Sequence, residues 1–174
     1  MLLRQKIGEA FLWIALLFLG TIIGAEVYQR ISLIPEWGGA LPDSVITYFR
    51  GTHAAASIGR FWITVLPISA LVVITATVFN WPERARRRWL GVGALLFVAM
   101  LVWTEVYFVP KGVLPLMAHA GEGLSPDEIT RMAKSWIFWD WFRMAGTVAA
   151  YFAWLRVLTI RPLGPSLAQA KAAA

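Results

Sequence analysis

Five charged residues stand inside otherwise apolar stretches of this 174-residue chain: Glu26, Arg60, Glu105, Asp140 and Arg143. At the centre of a membrane a charge costs about 2.5–3.5 kcal/mol on insertion scales. Ionisable groups there therefore face one another or a cavity. Carboxylates beside arginines can perform proton abstraction: the carboxylate takes the proton, and a guanidinium holds the oxyanion that forms. The five lie near the outer ends of their helices and could share one layer, in which the two arginines partner the carboxylates. Asp140 precedes Arg143 by three residues, on the same helical face.

Other residues extend the set. His53, Ser57, Arg60 and Thr64 share a face if one helix runs through them. Trp139, Tyr28 and Tyr107 lie beside the charges and offer aromatic walls for a substrate. A metal site would need His53, His119, Glu26 and Glu105 to converge. That mixed set suits iron, manganese, copper or zinc, but no Glu-x-x-His or His-x-x-x-His spacing supports it. Three readings stay open: a polar clasp between helices, a clasp that also lines a substrate pocket, and a metal site. Simpler pairings also exist, since Glu26 and Arg30 are four residues apart and both arginines could reach lipid headgroups. No motif specifies a cofactor.

The elements that must position these groups are apolar blocks. Hydrophobic residues make up 59% of the chain and charged residues 15%, against roughly 25% in a soluble domain. Four blocks reach the roughly 20 residues a membrane span needs: about 9–29, 58–80, 89–109 and 138–160. The expected fold is all-α, an integral membrane four-helix bundle of two tandem hairpins. It forms one domain over 1–162, followed by a flexible tail at 163–174. There is no cysteine, which excludes disulfide, thiolate and iron–sulfur chemistry. The net charge of +6 does not indicate nucleic acid, because the basic cluster at 84–88 sits between two spans. With the N-terminus inside, that cluster, Arg4, Lys6, Arg156, Arg161 and Lys171 share the inner side, while eight of the ten acids lie outside. The positive-inside rule then places both termini in the cytoplasm and the protein in the cytoplasmic (inner) membrane. Residues 1–25 also resemble a signal peptide, but their apolar run is long for one.

Local signals refine the picture. Pro35, Gly38, Gly39 and Pro42 mark a loop, and Asp43 opens a short outer helix. Pro67 should kink the second span, and the third should stop at Pro110. Ser125-Pro126-Asp127-Glu128 reads as a capping box. Gly20 with Gly24, and Ala145 with Ala149 and Ala153, offer small-residue packing faces. Most of the tryptophans near span ends read as interface anchors.

The halves also resemble each other. Ala25-Glu26-Val27-Tyr28 parallels Thr104-Glu105-Val106-Tyr107, and the residues 41–47 parallel 124–130. Continuing from Thr47 and Thr130 sets Arg60 opposite Arg143 and Thr64 opposite Thr147. Two such hairpins would be related by a pseudo-twofold axis along the membrane normal.

Thr104 with Pro110, then Trp136, Trp141 and Arg143, give the chain a family likeness over about 10–160. It resembles the small four-helix membrane proteins grouped with anthrone oxygenases; Asp140 departs from that pattern, which has asparagine there. The resemblance implies oxidation of an activated aromatic methylene, chemistry that can proceed without a cofactor, with Glu26, Glu105 or His53 as the base and Arg60 and Arg143 holding the enolate oxygen. The expected partners are the lipid bilayer and a hydrophobic aromatic small molecule. The alternative is a non-catalytic membrane subunit that packs against a second copy or a partner, or binds a lipid or quinone. A transporter is disfavoured because the inner halves of the helices look apolar.

Overall fold

The structure is a computed structural model, and it describes residues 2–51, 54–117 and 122–160. Among these residues all regular structure is helical. Helix α1 spans Leu2–Tyr28 and passes through a π-helical turn, Gln29–Leu33, into α2, Ile34–Gly38. Helix α3 covers Asp43–Gly51 and α4 covers Ala54–Asn80. Helix α5, Arg84–Trp103, runs through a second π-helical stretch, Thr104–Val113, into α6, Leu114–Met117. Helix α7 is Pro126–Thr159, 34 residues long. Three stretches are long and apolar enough to cross a membrane: Leu3–Gly38, Ile58–Asn80 and Arg84–Met117. Helix α7 has the length, but Asp140 and Arg143 interrupt its apolar run.

Two expectations about prolines fail for one reason. The third apolar helix does not stop at Pro110, and the stretch marked by Pro35 and Gly38 is helical. Proline lacks an N–H and its ring clashes with the carbonyl four residues earlier. For Pro35 that carbonyl belongs to Ile31, and for Pro110 to Val106; both lie in π-helical turns. A wide turn moves the offending carbonyl aside, so the helix continues. The capping box at Ser125 forms as expected: Ser125 Oγ accepts from the Glu128 backbone N–H, and Ser125 N–H donates to Glu128 Oε2 at 2.9 Å. The Ser125 backbone N–H first, and then the Ser125 hydroxyl, which donates to Glu128 Oε2 at 2.8 Å, hold the Glu128 carboxyl below the usual carboxylate range. The helix starting there continues unbroken, so the outer turn and the fourth apolar block are one element.

The four long helices neighbour one another in the cyclic order α1, α4, α5, α7, with α4 and α5 meeting least extensively. An apolar core of Leu12, Leu19, Val73, Leu90, Phe97 and Trp154 fills the space between them. Close approach of α5 and α7 comes from Gly93 and Gly146. A Cβ on Gly93 would stand 1.8 Å from Trp154 Cδ1, and one on Gly146 would stand 2.5 Å from Met100 Sδ. Of the small residues expected to pack, Ala153 is buried in the core, while Gly24 has open space around it and Ala145 and Ala149 are exposed.

A second core lies under the short helices. Trp37, Phe49 and Trp136 pack together, with Trp37 and Trp136 ring centroids 4.9 Å apart. Trp37, Trp136 and Trp154 are thus buried core rather than interface anchors, whereas Trp13, Trp81 and Trp141 are exposed. At the opposite end, Arg86 is buried rather than merely part of a basic loop. It donates to the Ile160 carbonyl (3.1 Å) and Asn80 Oδ1 (3.2 Å), and lies 3.5 Å from Glu9. Asn80 Nδ2 donates to the Gly8 and Ala76 carbonyls, each at 2.8 Å. This latch joins the start of α1, the end of α4, the start of α5 and the end of α7.

Candidate functional site

Asp140, Arg143 and Thr147 lie on one face of α7, spaced three and four residues apart, and all are buried. Glu26, in the last turns of α1, reaches the same point and is 1% exposed. Arg143 Nη2 donates to Asp140 Oδ1 at 2.8 Å, and Arg143 Nε lies 3.5 Å from Glu26 Oε1. The Thr147 hydroxyl is 3.3 Å from Glu26 Oε1 and 3.0 Å from the Arg143 carbonyl oxygen, and can donate to one at a time. The guanidinium also lies over Trp62, with Cζ 4.7 Å from the ring centroid, and 5.7 Å from that of Phe108. Two buried carboxylates therefore share one guanidinium. Among the described residues, three buried side-chain atoms have no hydrogen-bond partner: Glu26 Oε2, Trp136 Nε1 and Arg143 Nε, the last lying at ion-pair distance from Glu26.

Those orphaned atoms belong to residues that border cavities. The first cavity, about 350 Å³, opens between α4 and the second π-helical stretch, where the long helices pack least. Arg143, Trp136, Gln29, Trp62, Glu105 and Phe108 are among its walls. A second cavity of about 390 Å³ lies on the other side of α4, against Ala25, Tyr28, Leu33, Tyr48 and Phe61. A third, about 20 Å³, touches Glu26, Arg143, Thr104 and Thr147, room for about one water. The π-helical turns supply Gln29, Thr104, Glu105 and Phe108 to these walls, and such turns recur at functional sites.

The expected residues thus separate. Glu26, Asp140 and Arg143 converge at the buried centre. Glu105 is exposed and reaches the first cavity, not the buried cluster. Arg60 is exposed on α4, where its carbonyl accepts from the Thr64 hydroxyl at 2.8 Å. Tyr28 borders the second cavity. Tyr107 is exposed, with the Lys111 ammonium 5.1 Å from its ring centroid. Trp139 packs against Trp103, ring centroids 5.5 Å apart, away from the two large cavities. His53 and His119 lie outside the described residues. Among the described residues no three potential metal-ligating side chains converge.

Sequence reasoning missed Gln29, Trp62, Phe108 and Trp136 as wall residues. Gln29 carried a signal, being a polar residue three positions after Glu26 in an apolar helix. The tryptophans carried none that separates a cavity wall from an interface anchor. No protein-family model, no curated protein and no solved structure matches this chain.

Proposed function

We propose that this is a four-span protein of the inner membrane, with α7 as the fourth span and both termini in the cytoplasm. It binds a hydrophobic aromatic molecule bearing a carbonyl or phenolic oxygen in the first cavity, in the outer leaflet. One observation supports this above the rest: a cavity lined by aliphatic and aromatic side chains borders Trp136, whose buried indole N–H has no hydrogen-bond partner, and Arg143, whose Nε makes only the 3.5 Å ion pair with Glu26. A ligand oxygen would supply the acceptor that the Trp136 indole lacks, beside the Arg143 guanidinium, and leaving such a donor unmet costs about 1–3 kcal/mol.

The chemistry that fits is oxidation of an activated methylene, as the resemblance implies. Glu105, on the cavity wall, takes the methylene proton. Arg143 and Trp136 hold the enolate oxygen while charge develops there. Dioxygen then oxidises the carbanion; its two oxygen atoms become the new ketone oxygen and one water, and the methylene loses both hydrogens. Glu26 and Asp140 hold Arg143 in place and do not touch the substrate. The residues require no cofactor for this step.

The test is turnover of 1,8-dihydroxyanthrone to the anthraquinone by the purified protein. Arg143→Lys should abolish turnover with the fold intact, because an ammonium cannot keep the planar two-carboxylate geometry. Glu105→Gln should slow it roughly 10²–10⁴-fold. A second reading is a non-catalytic membrane subunit, favoured by the closeness with which Asp140 and Glu26 engage Arg143. In that case wild type shows no turnover and Arg143 variants lose only stability. A stable and fully active Arg143→Ala variant would overturn both.

A further inference from the structure

The two large cavities share three wall residues, Gln29, Ile58 and Trp62. They therefore flank the outer half of α4 and meet at those three residues. Their chemistry differs. The first has Glu105 and Arg143 on its wall together with the unpartnered Trp136 indole. Among the described residues of the second wall none is charged; Ala25, Leu33, Ile58 and Phe61 share it with Trp62, Gln29 and the phenols Tyr28 and Tyr48. At about 350 Å³ the first lies near the lower end of the roughly 300–1,000 Å³ range of ligand sites, enough for a fused ring system and little more. A ligand held only there would leave the adjoining apolar cavity without an occupant.

We infer that the ligand is an amphiphile, with its oxygen-bearing ring in the first cavity and an unbranched or prenyl-like apolar tail passing Trp62 into the second. This rests on the proposed reading of the first cavity and adds the class of ligand. The charges assign the ends: a ring oxygen meets Arg143 and the Trp136 indole in the first cavity, and the tail meets the uncharged side chains of the second. The second cavity contributes orientation more than hydrophobic drive, because a tail in lipid is already in apolar surroundings. Fixing the tail under α4 would present one edge of the ring to Glu105.

The test uses the wild-type protein in detergent with two probes. One is 1,8-dihydroxyanthraquinone; the other is the same ring carrying a decyl chain that ends in a photoreactive diazirine. The ring alone should quench tryptophan fluorescence saturably, since Trp62 and Trp136 border its cavity. On irradiation the tailed probe should label Ala25, Tyr28, Leu33, Tyr48 or Phe61, read by peptide mass spectrometry. Excess tailless ring, well above its dissociation constant, should cut that labelling by roughly tenfold or more. Labels outside the second cavity, while the ring still competes, would overturn the amphiphile and leave the first site standing. So would labelling that the bound ring fails to suppress. No saturable quenching by the ring removes the first site itself, and the inference falls with it.

Discussion

At the scale of single residues, charge arithmetic governs the buried centre. Glu26 and Asp140 are two carboxylates against the one guanidinium of Arg143, all at most 6% exposed. Removing one member of a buried ion cluster is costly when it strands an unpaired charge, typically about 3–5 kcal/mol. The two removals are therefore unequal. Glu26→Gln leaves Asp140 and Arg143 as a matched pair at 2.8 Å, and the amide oxygen can still accept from Thr147. Arg143→Ala leaves two carboxylates unmatched. Thermal unfolding in detergent should place Glu26→Gln within a few degrees of wild type, and Arg143→Ala far below it or too unstable to purify. Equal losses in the two variants would contradict this account of the cluster. Much of this centre was legible in the sequence, because Glu26, Asp140 and Arg143 are charges in apolar runs at helical spacing. The exposure of Glu105 and Arg60, their counterparts in the repeat, was not. Sequence gave their depth along the helix, but depth does not set rotation about its axis. Glu105 lies in a π-helical stretch, where the wider turn changes which side chains face inward.

At the scale of elements, the helices are held by close contacts that pattern alone placed wrongly. The Gly20 and Gly24 pair looked like a packing motif, yet the tight approach is made by Gly93 against Trp154 and by Gly146 against Met100. A small-xxx-small pattern reveals that a helix can be approached, not that a large partner stands opposite. Trp154 is buried and rigid, so a methyl on Gly93 cannot be absorbed by swinging the indole away. Overpacking of this kind typically costs about 1–3 kcal/mol. Gly93→Ala should therefore lower the melting temperature clearly, and adding Trp154→Leu should recover part of the loss by opening the space that the new methyl needs. Gly24→Ala, with nothing within reach of its Cβ, should be nearly silent in the same assay. The helix starts were easier to read than the stops. Ser125 caps by local bonds within four residues, whereas Pro35 and Pro110 were read as breaks because their accommodation depends on wide turns that leave no composition signal.

At the scale of the whole molecule, polar contacts close both ends of an apolar core. The Glu26–Arg143–Asp140 cluster ties α1 to α7 at one level, and the Asn80–Arg86 latch ties α1, α4, α5 and α7 at the other. The second latch shows why the inner halves of the helices looked featureless. Arg86 sits among four basic residues between 84 and 88, where a topological reason for charge conceals a structural one. Topology itself turns on α7, whose length suffices but whose apolar run is broken by the residues that bury themselves against Glu26. With only the three apolar helices crossing, the ends of the chain would lie on opposite sides of the membrane. With α7 crossing too, they lie on the same side. A reporter fused after residue 174 decides between these. Under the proposed four-span topology, with both termini in the cytoplasm, green fluorescent protein there should fluoresce and alkaline phosphatase should be inactive. Phosphatase inserted between Gly123 and Leu124 should be active. The reverse result at the C-terminus would remove α7 from the membrane, and with it the premise that Asp140 and Arg143 are buried at membrane depth, where charge pairing with Glu26 is the condition for their being tolerated.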